Sequence, residues 1–219
     1  MSAVATHRSR QMHISEGILS IPVLTAGVFA TGGGTVVGLR RLDYDRLPKA
    51  GILAAAFFVA SLIHVPVGVA SIHLVLNGLC GLILGWTAFP VILVAMILQA
   101  VFFQFGGITT LGINTAILAF PAVLVHLLFK PFLKRKSGLS SLIAFLAGFS
   151  AILLSSLATA ASLALSGSEF FEIAGIVAVA NLPVMVVEGA ITLFCIDFLR
   201  RVYPVLLFGK TDGSGDWQA

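Results

Sequence analysis

Charged residues divide the chain into long apolar runs and short polar loops. Residues 17–39 contain no Asp, Glu, Lys or Arg, and residues 50–129 continue for 80 positions without one. A helix needs about 20 apolar residues to cross the hydrocarbon of a bilayer, so the longer run has room for up to four crossings. The pattern predicts an all-α integral membrane protein, because the strands of a membrane barrel would alternate over about ten residues and these runs are continuous.

Turn-forming residues divide the long run at 66–68, 86–90 and 105–112. A basic loop at 130–136 and an acidic turn at 167–172 separate the apolar segments that follow. The pattern therefore predicts a bundle of about seven transmembrane helices. Their expected ranges are 17–39, 51–65, 72–85, 90–104, 113–129, 139–165 and 173–199.

The basic residues predict how this bundle is oriented. Eleven of the 13 Lys and Arg residues lie in the loop 40–49, in the loop 130–136 and in the tail from residue 200. With seven crossings these three regions share one side of the membrane, and an excess of Lys and Arg marks the cytoplasmic side. The N-terminus is therefore expected outside and the C-terminus in the cytoplasm.

Composition supports the membrane class. The chain is 58% hydrophobic and 10% charged, with a mean hydropathy of +1.07, whereas ordinary soluble domains are about 25% charged. The net charge of +4 is explained by topology and requires no nucleic-acid partner; the lipid bilayer is the expected surrounding. We expect one transmembrane domain at 12–204, an N-terminal extension at 1–11 and a polar cytoplasmic tail at 205–219.

Three of the five histidines fall on the predicted outer side. His13 precedes the first helix, and His64 and His73 flank the turn between the second and third, while the loop 104–114 adds amide and hydroxyl groups. Imidazole is a preferred ligand of Zn, Cu, Ni and Co. Glu16 is the one carboxylate nearby, which argues against Mg and Ca, because they prefer oxygen ligands. A histidine at a helix end is also a common interfacial hydrogen-bonding residue, so both interpretations stay open.

Two further polar residues lie within predicted helices. His126, near the inner face, is interpreted as a packing or interfacial residue. Glu188 lies in the middle of the predicted seventh helix, where a carboxylate is costly and functional by default. It is either a proton or ion site or a hydrogen-bonded structural group, and we favour the structural role.

Several sequence motifs of enzymes are incomplete. The triplet at 209–211 ends like a phosphate-binding loop, but Pro204 occupies the position of its first glycine and no strand is predicted before it. The glycines at 32–34 do not form a dinucleotide fingerprint and instead favour close helix contact. The HExxH motif of intramembrane zinc peptidases is absent from the sequence. We therefore expect the chain to carry no ATP site of its own.

Four blocks of residues, in order along the chain, resemble the substrate-binding membrane component of cobalt/nickel energy-coupling-factor (ECF) transporters, the CbiM/NikM family. They are MHISEG at 12–17, SIHLVLNGL at 71–79, LQAVFF with GGITTLG at 98–112, and the Leu182-Pro183 pair with Glu188-Gly189. The resemblance covers residues 12–204, and its His-Leu-x-Leu-Asn-Gly form is closer to the nickel branch. It implies a multi-pass protein of a prokaryotic cell membrane. It also implies a binding subunit without an ATPase site, and not an enzyme.

The resemblance also implies a metal site. The α-amine of Met12, the amide nitrogen and imidazole of His13, and the imidazole of His73 would form a four-nitrogen plane. Such a plane suits Ni(II), Cu(II) or low-spin Co(II) and rejects tetrahedral Zn(II). The metal would be the transported substrate, Ni(II) favoured over Co(II), and no permanent cofactor is implied. The groups expected to orient the imidazoles are His64, Ser71, Asn77 and Asn114.

The sequence departs from the family at its start. Because Met12 follows eleven other residues, its nitrogen would be an amide, and we expect the working protein to begin at Met12. The resemblance further implies partners: a transmembrane coupling subunit, a pair of ABC-type ATPases and a small accessory membrane subunit. The alternative function is a stand-alone proton-coupled metal carrier or channel that uses Glu188.

Overall fold

The computed structural model describes residues 14, 16–67, 70–104, 106–134, 137–167 and 181–208, and gives only the backbone of residues 64–67, 70–73, 134, 137, 206 and 208. Met12, His13, the extension 1–11 and the first part of the predicted seventh helix lie outside the described residues. The helices are α1 (Ile21–Arg40), α2 (Leu47–Leu62), α3 (Asn77–Leu84), α4 (Ala88–Phe103), α5 (Leu111–Phe129), α6 (Ser137–Ala164), α7 (Leu182–Val202) and α8 (Val205–Phe208). Two strands, β1 (His64–Val67) and β2 (Ala70–His73), pair in an antiparallel hairpin.

Five stretches of the described chain are long and apolar enough to cross a membrane. They are Ile21–Arg40, Asn77–Phe103, Leu111–Leu133, Gly138–Ala164 and Leu182–Val202. Their outward faces carry large exposed apolar side chains such as Phe29, Phe102 and Phe194, a surface that suits contact with lipid tails. The predicted class of helical integral membrane protein is thus confirmed. The count of seven crossings and the orientation stay predictions.

The chain reverses direction between α3 and α4. Helix α3 runs parallel to α5, since Gly81 lies against Ala122 and Gly85 lies against the ring of His126. If α4 continued the same way, Phe89 would lie beyond His126, but its ring packs against Phe120 at 5.0 Å. The reversal occurs in a 3-10 turn, Gly85–Thr87, where the predicted break at 86–90 begins. The apolar stretch Asn77–Phe103 is therefore two helices that fold back on each other and not one continuous span.

The third predicted helix, 72–85, is shorter than expected. Its first residues belong to strand β2 and a connecting segment, and α3 begins only at Asn77. Eight helical residues span about 12 Å, less than half the hydrocarbon thickness. The apolar pattern did not reveal this hairpin, because short apolar runs look alike in a buried strand and a buried helix.

Small residues allow the helices to pack closely, as expected. A Cβ at Gly34 of α1 would meet the ring of Phe89, and one at Gly81 of α3 would meet the backbone of Ala122. Among the described residues, a Cβ added to Gly32 or Gly33 would meet nothing within 4 Å, so within this part of the chain Gly34 is the one glycine of the triplet with this role. Close helix contacts of this kind stabilise membrane bundles.

Candidate functional site

Asn114 holds the main chain of Ile14, the residue that follows His13. The amide nitrogen of Ile14 donates to Asn114 Oδ1 at 3.1 Å, and Asn114 Nδ2 donates to the carbonyl oxygen of Ile14 at 3.1 Å. The Asn114 side chain also donates to Thr110 Oγ1 at 3.2 Å and is 3% exposed. The Ile14 side chain is buried with Ile117 of α5 and Leu163 of α6. The N-terminal segment, described at residues 14 and 16–20, is therefore fixed at Ile14 inside the bundle, beside the first turn of α5.

Glu16 binds the loop that leads into α5. Its Oε1 accepts hydrogen bonds from the backbone N–H and the hydroxyl of Thr109, both at 3.1 Å. These two bonds, the backbone bond first, hold the pKa of the exposed Glu16 carboxyl below its ordinary value of 4.5. Glu16 is thus engaged in docking the N-terminal segment.

The β-hairpin brings His64 and His73 opposite one another. They are Cα partners at the open end of the β1–β2 pair, opposite the connection between Val67 and Ala70. Directly opposed residues of an antiparallel pair have Cα atoms about 4.5–5.5 Å apart. The hairpin therefore places two of the three histidines that are predicted on the outer side next to each other. Their side chains, like that of Ser71, lie outside the described part of the chain.

The segment after His73 is held by polar groups of three helices. The carboxylate of Glu188 in α7 accepts the backbone N–H groups of Val75 and Leu76, the latter at 2.9 and 3.0 Å. Asn77 Nδ2 donates to Ser155 Oγ in α6 at 2.9 Å and to the carbonyl oxygen of Leu118 in α5 at 3.3 Å. Asn77 thus lies in the bundle core, where it fixes the first turn of α3.

Helix α5 connects the two segments that carry the predicted ligands. Asn114, which holds Ile14, and Leu118, which accepts from Asn77, are four residues apart on one face of α5. A separation of four helical residues rises about 6 Å. The segment that follows His13 and the segment that follows His73 are therefore held at adjacent levels of the same helix.

His126 lies apart from the two segments that carry the predicted ligands. His126 lies at the opposite end of the bundle, where its Nδ1–H donates to the carbonyl oxygen of Gly81 at 2.9 Å, as expected of a packing residue. In the described part of the chain, no group of three or more His, Cys, Asp or Glu side chains could hold a metal ion. The roles of Met12, His13 and His73 as ligands stay predictions. Sequence reasoning missed Ser155, a hydroxyl within an apolar helix whose only signal was its polarity.

The apolar helices of the bundle define a class: a multi-pass membrane protein. Residues 13–206 match the CbiM family, described as the cobalt uptake substrate-specific transmembrane region. This chain belongs to that family, and the resemblance seen in the sequence is confirmed. The protein is accordingly a transport component of a prokaryotic membrane, in a family that serves cobalt and nickel.

Individual relatives agree with this assignment. A putative metal transport protein of Haemophilus influenzae is 41% identical over 199 residues, which cover 90% of this chain and 97% of the relative. The fused nickel transport protein NikMN of Rhodobacter capsulatus is 41% identical over 110 residues, 47% of this chain and 31% of the relative. The crystal structure of a truncated transition metal transporter is 26% identical with a TM-score of 0.74, covering 87% of this chain and 99% of that one.

Proposed function

We propose that this protein is the subunit that captures Ni(II), in preference to Co(II), on the outer face of the membrane for ATP-driven uptake. The metal is held by the α-amine of Met12, the amide nitrogen and imidazole of His13, and the imidazole of His73. This chelate requires a free amine, so the working chain begins at Met12. The observation that carries the proposal is the reciprocal hydrogen-bond pair between Asn114 and Ile14, because it fixes the backbone directly beside His13.

The proposed orientation has seven crossings, with the N-terminus outside. The third crossing combines strand β2, residues 74–76 and the short helix α3. The starts of α1 and α5 lie at the same end of the bundle, since Gly27 of α1 packs on Ile113 of α5, and the basic loops follow the opposite ends of these helices. An excess of Lys and Arg favours the cytoplasm for that opposite end. The Ile14 segment and the hairpin then face outside, where metal arrives.

The proposed partners supply the energy for transport. The chain itself carries an incomplete phosphate-loop motif, so ATP hydrolysis belongs to a pair of ABC-type ATPases joined through a transmembrane coupling subunit, with a small accessory membrane subunit. Membership in a family of substrate-specific uptake regions supports this division of roles. The proton-coupled carrier is less favoured, because the Glu188 carboxylate is fully buried and already accepts two backbone N–H groups.

Native mass spectrometry of the protein purified from membranes, with and without added Ni(II) and Co(II), tests the proposal. A chain that begins at Met12 and holds one metal ion is the expected result. A chain that retains Met1 or Ser2 and still binds one ion tightly would contradict the amine chelate.

Substitution of the histidines tests the ligand set. His13→Ala and His73→Ala should abolish Ni(II) binding, since each removes one of four nitrogen ligands. His126→Ala is the matched control, because His126 lies at the opposite end of the bundle beside Gly85, and it should bind nearly as the parent does. Equal loss of binding in all three variants would contradict the outer-face site.

A further inference from the structure

The backbone between the hairpin and α3 is irregular and lies inside the bundle. Residues 74–76 belong to neither strand nor helix, Val75 is buried, and Leu76 has φ 56° and ψ 18°. This left-handed conformation is unusual for leucine and persists only where the surrounding structure imposes it. Water is scarce within a membrane bundle, so the N–H groups of such a segment require partners from the protein itself.

Glu188 supplies those partners. Its carboxylate accepts from Val75 and Leu76, which are 113 and 112 residues away along the chain; we call this arrangement the Glu188 contact. The first N–H groups of a helix have no intrahelical acceptor, and α3 has no side-chain cap of its own from Leu76. A carboxylate suits the position because, when ionised, it only accepts hydrogen bonds.

Close packing of α7 against α6 fixes the position of Glu188. A Cβ at Gly148 of α6 would lie 2.6 Å from the carbonyl oxygen of Glu188 and 2.5 Å from Thr192 Oγ1. Helices α6 and α7 therefore touch at the level of the carboxylate. His73, the last residue of β2, is two residues before Val75, about 7 Å along an extended chain. Because Glu188 of α7 binds the backbone of Val75, the position of α7 determines where the end of β2 lies.

We propose that Glu188 is a positioning residue for metal capture, which holds the start of α3 and thereby sets the distance of His73 from the N-terminal ligands beside Ile14. The inference rests on the proposed function, in which His73 is a metal ligand. Glu188 touches no metal. It acts through the backbone of Val75 and Leu76, as groups behind a ligand orient it in other metal sites.

Three variants of the protein purified from membranes test this role. Glu188→Gln replaces one acceptor oxygen by a donor, and Glu188→Asp keeps the charge but shortens the side chain by one methylene. Asp197→Asn is the matched control, because Asp197 is a carboxylate on the same helix that accepts from Ser141 Oγ at 2.6 Å and pairs with Arg200 at 3.8 Å. The measurements are amide hydrogen exchange of residues 74–80, the Ni(II) dissociation constant, and the ligand-field absorption spectrum of bound Ni(II).

In both Glu188 variants the amide hydrogens of Val75 and Leu76 should exchange faster than in the parent. Both variants should also bind Ni(II) about 10–100-fold more weakly and show an altered ligand-field spectrum of bound Ni(II). Asp197→Asn should match the parent in all three measurements. Unchanged exchange would refute the Glu188 contact. If the amide hydrogens of the Glu188 variants exchanged faster but their Ni(II) affinity and spectrum equalled those of the parent, the positioning role would be refuted. If the parent itself bound no Ni(II), the proposed function would fail, and the exchange result would still decide the contact. Should the Gln variant not fold, the Asp variant answers the same questions.

Discussion

At the scale of single residues, Asn114 has the most direct consequence for metal capture. Its side chain both accepts from and donates to the backbone of Ile14. Asn114→Ala removes both bonds and leaves the Ile14 backbone without these partners. We expect the Ni(II) dissociation constant to rise about 10–100-fold, the range typical of groups that orient metal ligands, as measured by titration calorimetry.

Asn181→Ala is a matched control for this prediction. Asn181 is a partly buried asparagine that also bonds another element, since it donates to Ser156 Oγ of α6 at 2.9 Å. This bond does not involve the backbone of Ile14. Its loss should leave the dissociation constant unchanged. If both alanine variants weakened binding equally, the effect would reflect the stability of the bundle and not the docking of Ile14.

Glu16 predicts a pH dependence of the docked N-terminal segment. Hydrogen bonds from Thr109 lower the pKa of Glu16 in the folded protein, so their stabilisation is present above the ordinary value of 4.5 and is lost as the pH falls through the lowered folded pKa. The parent should melt at a higher temperature than Glu16→Gln at neutral pH. This difference in Tm should shrink in acid, and a difference that does not vary with pH would contradict the charged contact.

The buried polar residues Glu188 and Asn77 show how much of a single residue's role can be predicted from sequence. Glu188 was conspicuous because a carboxylate within an apolar run is rare, and its structural interpretation agrees with the bonds it accepts. Its partners could not be predicted, because they are backbone groups more than 100 residues away. Asn77 Nδ2 donates to Ser155 and Leu118, and its expected role in orienting an imidazole stays a prediction.

At the scale of elements, the loop between α4 and α5 depends on a glycine. Gly107 has φ +132°, and a Cβ there would collide with the side chain of Glu16. Gly107→Ala therefore combines backbone strain of about 1–3 kcal/mol with a clash against the docked segment. We expect a lower Tm and faster hydrogen exchange at residues 16–20.

Gly51→Ala provides the control for this loop. Gly51 lies in α2, and no atom of the described residues lies within 4 Å of a Cβ position there. Alanine is favoured over glycine in a helix by about 1 kcal/mol. This variant should melt at the same temperature as the parent or slightly higher. An unchanged Tm and exchange rate in Gly107→Ala would contradict the close contact between the loop and Glu16.

The helices that the apolar pattern predicted well are those whose ends carry a strong local signal. Helix α5 (Leu111–Phe129) follows the glycine-rich loop and ends at Phe129, so both ends lie within two residues of the predicted range. Helix α2 begins at Leu47 instead of residue 51, because Pro48 suits the first turn of a helix. The β1–β2 hairpin was missed, because the segment that follows it is held by contacts from α7 that no local pattern contains.

At the scale of the whole molecule, the polar contacts of the N-terminal segment gather at one end of the bundle. Ile14 with Asn114, Glu16 with Thr109, and Ser20 with Ser166 at 3.1 Å join this segment to α5, to its preceding loop and to the end of α6. The opposite end carries basic residues, among them Arg41, which lies 5.6 Å from the ring centre of Trp86. The charge pattern predicted this asymmetry, but the distant pairings required the folded chain.

Labelling of single cysteines in intact cells tests the orientation that follows from this asymmetry. Ile108 is 82% exposed in the loop before α5, and Tyr44 is 90% exposed in the basic loop after α1. A membrane-impermeant maleimide should label Ile108→Cys in intact cells, but Tyr44→Cys only after the membrane is permeabilised. The parent, whose Cys80 is buried and whose Cys195 is partly buried, is the control for background. If Tyr44→Cys were labelled in intact cells and Ile108→Cys were not, the orientation would be the reverse of the one proposed. The Ile14 segment and the hairpin would then face the cytoplasm, where they could not capture metal from outside.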